Sequence, residues 1–296
     1  MKYVITGSLG HISKPVTIAL AKAGHDVTVI TSSNERVKEI ESLGAKAAVG
    51  SVADLAFLKK TFSNADVAYT MVPPNFAAPD IKVFIAQIGE NYAEAIRNSN
   101  IKHVVNLSSC GADQSSGVGP VSGLHKGEKA LNALEGVNVQ HLRVGYFYDN
   151  FLANIALIKS MDIMGGNYGG NDRKMALSDT DDIAVVAIEE LTNLNFKAAS
   201  VRYVGSDERD TGDIARVIGK AIGKPDLSWV KFTDQEAFEG MKQAGLPQSI
   251  TENYVEMGTA IDSGIMFADY FKNRPKLGKI KLEDFAKKFA QIYKAG

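Results

Sequence analysis

The chain has 296 residues, 45% hydrophobic and 23% charged, with 33 Lys and Arg set against 34 Asp and Glu. That length fits one large domain or a domain with a substantial appendage, and a net charge near zero argues against a dedicated nucleic-acid or anionic-membrane binder, which carries a basic excess. One cysteine, Cys110, excludes an internal disulfide; with no signal-peptide pattern and no apolar run of about 18 residues, the expectation is a cytoplasmic protein without a membrane partner.

Tyr3-Val4-Ile5-Thr6 is a short β-branched run that reads as a buried strand stopping at Gly7. From Ile12 apolar residues recur at 12, 16, 19, 20 and 23, the period of a helix. Strand, glycine turn and helix in that order aim backbone N–H groups at a phosphate. Gly7 permits a turn with φ > 0, and Gly10 lets a pyrophosphate approach without meeting a Cβ. The spacing is G-x-x-G-x-x-S, with Ser13 at the third small position, so an ordinary strand-to-helix turn is the competing reading. The candidate coenzyme contacts here are Gly7, Leu9, Gly10, His11 and Ile12.

A second strand is expected over 27–31, then a helix capped by Ser32-Ser33-Asn34 and ended by Gly44, and a third strand over 45–49. Asp54 caps a helix carrying Leu55, Leu58 and Phe62. A fourth strand over 66–72 is broken by Pro73-Pro74-Asn75, and a long helix over 80–98 leads to a fifth strand over 103–107. The Gly- and Ser-rich segment 108–122 reads as an exposed loop with room to move. A helix over 124–134 and a strand over 137–142 complete the series.

This alternation predicts an α/β fold, a Rossmann-type doubly wound parallel sheet with right-handed crossovers, over residues 1–145. Further helices are expected near 150–160, 181–192, 210–222, 234–245, 249–261 and 282–294, with a strand near 201–204 and a flexible glycine loop at 165–170. Residues 146–296 then form a smaller, mostly helical C-terminal region that walls a substrate pocket and is not an independent domain.

Four segments in order carry a family resemblance: Ile5-Thr-Gly-Ser-Leu-Gly-His-Ile-Ser13, Val104-Val-Asn-Leu-Ser-Ser109, His125-Lys-Gly-Glu-Lys129 and Leu142-Arg-Val-Gly-Tyr-Phe-Tyr-Asp-Asn150. Together they resemble an NmrA-like, atypical short-chain dehydrogenase/reductase, and Ser178-Asp-Thr-Asp-Asp-Ile-Ala184 resembles the lead into a C-terminal helix of that family. The resemblance implies a Rossmann fold binding NAD(P), with the nicotinamide near 108–109, 125–129 and 144–147. It also implies a Ser, a Tyr and a Lys four residues after the Tyr as the proton-transfer set. Ser108 and Lys129 hold the first and last of these positions, and His125 stands where the Tyr would be. Such proteins include reductases of quinones and other small unsaturated molecules, and also regulators that bind NADP without turnover.

The end of the second strand offers Thr31, Ser32, Ser33, Asn34 and Arg36 rather than an acidic residue, a set suited to a 2′-phosphate, so NADP(H) is expected over NAD(H). The competing reading is that Arg36 is a solvated helix residue. His125 and Lys129 share a helix face; the lysine suits the nicotinamide ribose, and the imidazole suits proton donation or a merely structural role. Glu128 is expected to be solvated.

Ser108 and Ser109 end a strand at the functional edge, Ser108 catalytic and Ser109 toward the substrate, or as loop caps. Cys110 reads as a small buried hydrophobe. Ser51 and Val52 are expected at the adenine, and Met71, Val72, Pro73 and Asn75 along the coenzyme. Gly145 and Tyr146 are expected at the nicotinamide, with Phe147, Asn150 and Phe151 toward the substrate, although these aromatics suit the core equally. No metal-ligand spacing and no G-x-S-x-G elbow occurs. The sequence thus points to an NADPH-dependent reductase of a small unsaturated or quinone-like molecule, a monomer or homodimer, or alternatively to a non-catalytic NADP(H) sensor.

Overall fold

Tyr3 and Ile5 pack on one face of the sheet and Val4 on the other, and all three are buried, which is why the first strand is an unbroken apolar run. In the computed structural model, which describes residues 1–295, this strand is β1 (Lys2–Ile5). There follow α1 (Ser13–Lys22), β2 (Asp26–Thr31), α2 (Val37–Ser42), β3 (Lys46–Val49), α3 (Leu55–Phe62), β4 (Val67–Thr70), α4 (Ile81–Arg97), β5 (His103–Ser109), α5 (Val121–Asn132) and β6 (Asn138–Val144). Then come β7 (Tyr146–Phe147), α6 (Ile155–Met161), β8 (Ile163–Gly166), β9 (Met175–Ser178), α7 (Thr180–Asn193), β10 (Ala199–Val204), β11 (Asp207–Arg209) and α8 (Thr211–Ile222). The chain ends with β12 (Ser228–Lys231), α9 (Asp234–Gln243), α10 (Gln248–Ser263), α11 (Ala268–Lys272) and α12 (Leu282–Ala295).

Seven parallel strands form the main sheet in the order β10-β6-β5-β4-β1-β2-β3. The winding reverses between β1 and β4, so a crevice outside their C-terminal ends is the natural ligand site. Asp54 accepts from Phe57 N (3.1 Å) and Asp80 from Val83 N (3.0 Å), which starts α3 and α4 where they begin.

The division expected at residue 145 is crossed by the sheet itself. β10 pairs with β6 from Ala199–Val139 to Val204–Val144, and α7 buries Ile183, Ala184, Ala187 and Leu191 in the cluster that covers β1 and β2. The C-terminal region also carries short strands of its own: β7, β9 and β11 form one small sheet, and β8 and β12 another. Two expected loops prove structured. Residues 163–166 are a strand, with Asn167 and Tyr168 buried after it, and in the 108–122 segment Cys110, Ala112 and Val118 are core residues. No helix among the described residues is long and apolar enough to cross a membrane.

A buried polar line braces the sheet against α5. Thr70 Oγ1 donates to Asn106 Oδ1 (2.9 Å), Asn106 Nδ2 to His141 Nδ1 (3.1 Å), and His141 Nε2 to Asn132 Oδ1 (2.8 Å). This pattern holds the imidazole neutral with its proton on Nε2. Burial lowers the His141 pKa, so the unfolded chain, whose histidines titrate near 6.5, binds a proton that the native state refuses. The contribution is therefore intact above about pH 6.5 and is lost as pH falls toward the folded value, at up to about 1.4 kcal/mol per unit. Urea unfolding at neutral pH and at about pH 5.5 is expected to show that slope, and His141→Gln to flatten it.

Candidate functional site

Gly7 takes a φ of +83°, and Ser8 follows at +54°. Gly10 N–H bonds Gly7 O (3.1 Å) and Lys14 N–H bonds Gly10 O (2.9 Å). The N–H groups of His11, Ile12 and Ser13 between them have no partner among the described residues. Ser13 Oγ donates to Thr6 O (2.9 Å) and ties α1 to β1. A Cβ at Gly7 would stand 2.7 Å from Ser13 Oγ and 2.8 Å from Met71 Sδ, while one at Gly10 would meet only Gly7 O, at 3.2 Å. Neither glycine puts a side chain of its own into this turn, and Gly10 has room for one beside Gly7 O. Leu9 and Ile12 turn their side chains into the core, so both can offer only backbone.

His11 points away from this turn to Asp149 Oδ2 (3.1 Å), which also holds Lys288 through Oδ1 (2.9 Å). A cleft of about 360 Å³ opens there between His11, Asp179, Asp181, Asp284 and Lys288. Burial raises the Asp179 pKa, and Asp181 and Asp182 add to it. Three carboxyl groups on its walls make this cleft a poor place for a diphosphate, and the free amides of the turn remain the better one.

At the end of β2, Ser8 Oγ donates to Thr31 Oγ1 (3.0 Å), and Ser33 caps the next turn by accepting from Glu35 N (3.2 Å). Ser32 and Asn34 are exposed. Arg36 lies on Glu39 Oε2 (3.0 Å), and Lys14, from the first turn of α1, lies on Oε1 of the same carboxylate (2.8 Å). The sequence reading missed Lys14 and Glu39; together they make a second cation and an acidic competitor beside the expected 2′-phosphate.

Ser51 Oγ accepts from Ala53 N (3.1 Å), and the half-buried Val52 offers its carbonyl to Asn91 Nδ2 (3.4 Å). Met71 is pinned by Thr6 Oγ1, to which its N–H donates (2.8 Å), and by Tyr92 Oη, which donates to its carbonyl (2.8 Å). Val72, Pro73 and Asn75 are half-buried along the edge, with Asn75 Oδ1 engaged by Ala77 N (3.1 Å).

The residues expected at the nicotinamide depart most from expectation. Ser108 is buried, and its hydroxyl donates to Glu128 Oε1 (2.6 Å) instead of facing a substrate. Glu128, expected in solvent, is 4% exposed. It is gripped by Arg143 from β6, through Nε to Oε1 (3.1 Å) and Nη2 to Oε2 (2.7 Å). Arg143 Nη1 also donates to Tyr203 Oη (3.2 Å), which donates to Asp269 of α11. Burial pulls the guanidinium pKa down, but the bonds from Glu128 more than offset this, so Arg143 stays charged.

His125 is half-buried and uses Nδ1 on Ala112 O (2.9 Å). With Nδ1–H donating to a carbonyl, Nε2 is the nitrogen left to exchange a proton. Lys129, one turn on, is exposed and without a polar partner among the described residues. Ser109 turns its hydroxyl to Cys110 O (3.0 Å), and burial pushes the Cys110 thiol pKa up, which agrees with an inert core residue.

Gly145 is buried, and its N–H goes to Val204 O (3.1 Å) and Ser178 Oγ (2.8 Å). A Cβ there would lie 2.6 Å from Ala176 O. The glycine lets β9 cross and has no amide left for a coenzyme. Phe151 is fully buried among Tyr146 and Trp229, so it backs the wall and does not line it. Tyr146 and Phe147 are half-buried at the edge, and Asn150 is exposed.

A model of the NmrA-like family matches residues 2–268. The chain belongs to the NmrA-like family. It is 23% identical over 256 residues to the NAD(P)H azoreductase of Xenophilus azovorans, covering 86% of this chain and 85% of that protein. Its fold is similar to that of an NADPH-dependent quinone oxidoreductase of Escherichia coli complexed with NADPH, with a TM-score of 0.81, 18% identity, and 97% and 99% of the two chains covered. Triphenylmethane reductase of Citrobacter sp. is also similar, with a TM-score of 0.77, 18% identity, and 98% and 100% covered. In this NmrA-like chain the glycine turn, the β4 loop and the end of β6 lie along one edge of the sheet. Lys14, Glu39 and Arg143, to which the sequence assigned no role, and Glu128, expected in solvent, shape that edge by charge.

Proposed function

We propose that the chain is an NAD(P)H-dependent reductase of small, flat, unsaturated molecules such as quinones or azo compounds, with NADPH preferred to NADH. The observation that carries this reading is the turn at Gly7–Ser13, whose free amides and absent Cβ atoms suit a diphosphate. When bound, the coenzyme supplies the hydride. The amides of His11, Ile12 and Ser13 and the stiff edge Met71–Pro73 would hold and orient it. Lys14 and Arg36, both paired with Glu39 just past the end of β2, would supply the charge for a 2′-phosphate. Lys129 adds a positive charge near the ribose, and His125 Nε2 carries or releases a proton. Two of the proteins it resembles are named an azoreductase and a quinone oxidoreductase, which supports the same substrate class here. We place the protein in the cytoplasm, as a monomer or homodimer.

Calorimetric titration with NADPH and NADH, followed by NADPH oxidation with a naphthoquinone and an azo dye, tests the proposal. Tighter NADPH binding and turnover of either acceptor are expected. Binding without turnover of any acceptor would make the chain a sensor, and equal affinity for NADH would end the NADP preference.

A further inference from the structure

Tyr146 is the first residue past Gly145, where β6 hands the chain to the C-terminal region. Its ring packs on Phe151 (centroids 5.3 Å apart) and Tyr168 (6.3 Å), and both of these pack on Trp229 (6.4 and 5.2 Å). Phe151, Tyr168 and Trp229 are buried; Tyr146 alone of the four is half-buried, so it is the face this cluster shows at the sheet edge. Trp229 Nε1 donates to Tyr168 O (2.7 Å) and fixes Tyr168 in place. Tyr168 Oη in turn donates to Tyr146 Oη (3.3 Å), while the Tyr146 hydroxyl hydrogen has no acceptor among the described residues. The result is a phenol polarised from behind by a second phenol and with its own O–H unspent.

The core that Tyr146 packs against also includes Ala112, whose carbonyl holds His125. Tyr146 follows β6, whose last residue, Val144, pairs with Ser109 at the end of β5, so it stands at the C-terminal edge of the sheet, where ligands of this fold sit. We propose that Tyr146, backed by Tyr168, donates a hydrogen bond to the carbonyl oxygen of a bound quinone and draws electron density from the ring that is to be reduced. This rests on the reductase reading above. Burial pushes the Tyr146 pKa up to about 12, so at neutral pH the phenol keeps the proton it would donate. Burial raises the Tyr168 pKa as well, so both phenols of the pair stay protonated.

Trp229 is the only tryptophan in the chain, and it reports on this cluster directly. A naphthoquinone titrated into the protein without coenzyme is expected to quench Trp229 emission with a saturable curve. Tyr146→Phe is expected to raise the dissociation constant about tenfold and to lower the melting temperature modestly, since it leaves the buried Tyr168 hydroxyl without its partner, and Tyr168→Phe to raise the dissociation constant less. Naphthalene, of similar shape without the oxygens, should bind wild type and Tyr146→Phe alike. Equal quinone affinity in wild type and Tyr146→Phe, an equal loss for naphthalene, or no saturable quenching would overturn the assignment. Quinone binding that depends on Tyr146, without NADPH oxidation, would sustain it while overturning the reductase reading.

Discussion

Arg143→Met is expected to cost about 3–5 kcal/mol of folding stability, because it strands the Glu128 carboxylate inside the protein with only the Ser108 hydroxyl for company. Desolvating a carboxylate is tolerable when a guanidinium covers both its oxygens and intolerable otherwise. Arg143→Lys keeps the charge but cannot reproduce the two-pronged grip and the third bond to Tyr203, so it should recover only part of the loss. The double variant Glu128→Met, Arg143→Met removes both charges and should lie much closer to wild type than Arg143→Met alone. Equilibrium urea unfolding of the four proteins measures this. Additive losses in the double variant would show that the two charges are not coupled, and the account of the site's support would fail.

This ion pair is also a mechanical link. Glu128 belongs to the helix that carries His125 and Lys129, Arg143 lies two residues before Gly145 and three before Tyr146, and Asp269 belongs to the C-terminal region. One largely buried guanidinium thus fixes the distance between the helix of His125 and Lys129, the phenol pair and the outer wall. Ser108 serves that link, since its hydroxyl is engaged by Glu128.

The fold was legible because a parallel sheet covered on both faces writes its strands as apolar runs, as at Tyr3–Thr6 and 66–72, and because Asp54 and Asp80 mark helix starts. Glu128 was not legible as a charged residue on a helix; its phase toward β5 and β6 is set by packing. A signal was nevertheless present in Arg143, a charge within the strand Gln140-His141-Leu142-Arg143-Val144, which had to find a buried partner. The glycine-rich stretches misled for one physical reason. At Gly165 a Cβ would lie 2.5 Å from the Phe232 ring, and at Gly119 it would lie 2.2 Å from Asn253 O. Those glycines make room for close packing, and composition alone cannot separate that use from flexibility. Gly145, expected at the coenzyme, belongs to the same class.

Gly10→Ala and Gly7→Ala separate the two jobs of the first turn, and their contrast is the largest functional effect expected. At Gly10 a methyl meets only Gly7 O at 3.2 Å, so the fold should lose less than about 1 kcal/mol, yet the methyl occupies the path by which a diphosphate reaches the amides of His11, Ile12 and Ser13. NADPH affinity should fall at least about thirtyfold, an amount set by losing two to three charge-assisted hydrogen bonds at once. At Gly7 the left-handed φ strains any side chain, and the methyl would displace Ser13 Oγ from Thr6 O and push Met71 aside, so stability itself should drop by about 2–3 kcal/mol. Thermal melts with and without NADPH read both effects, since a ligand that binds only the native state raises the midpoint by mass action. Wild type is expected to shift upward with coenzyme, Gly10→Ala to melt near wild type but shift little, and Gly7→Ala to melt lower and not shift. An undiminished shift in Gly10→Ala would mean that the dinucleotide does not pass over this turn.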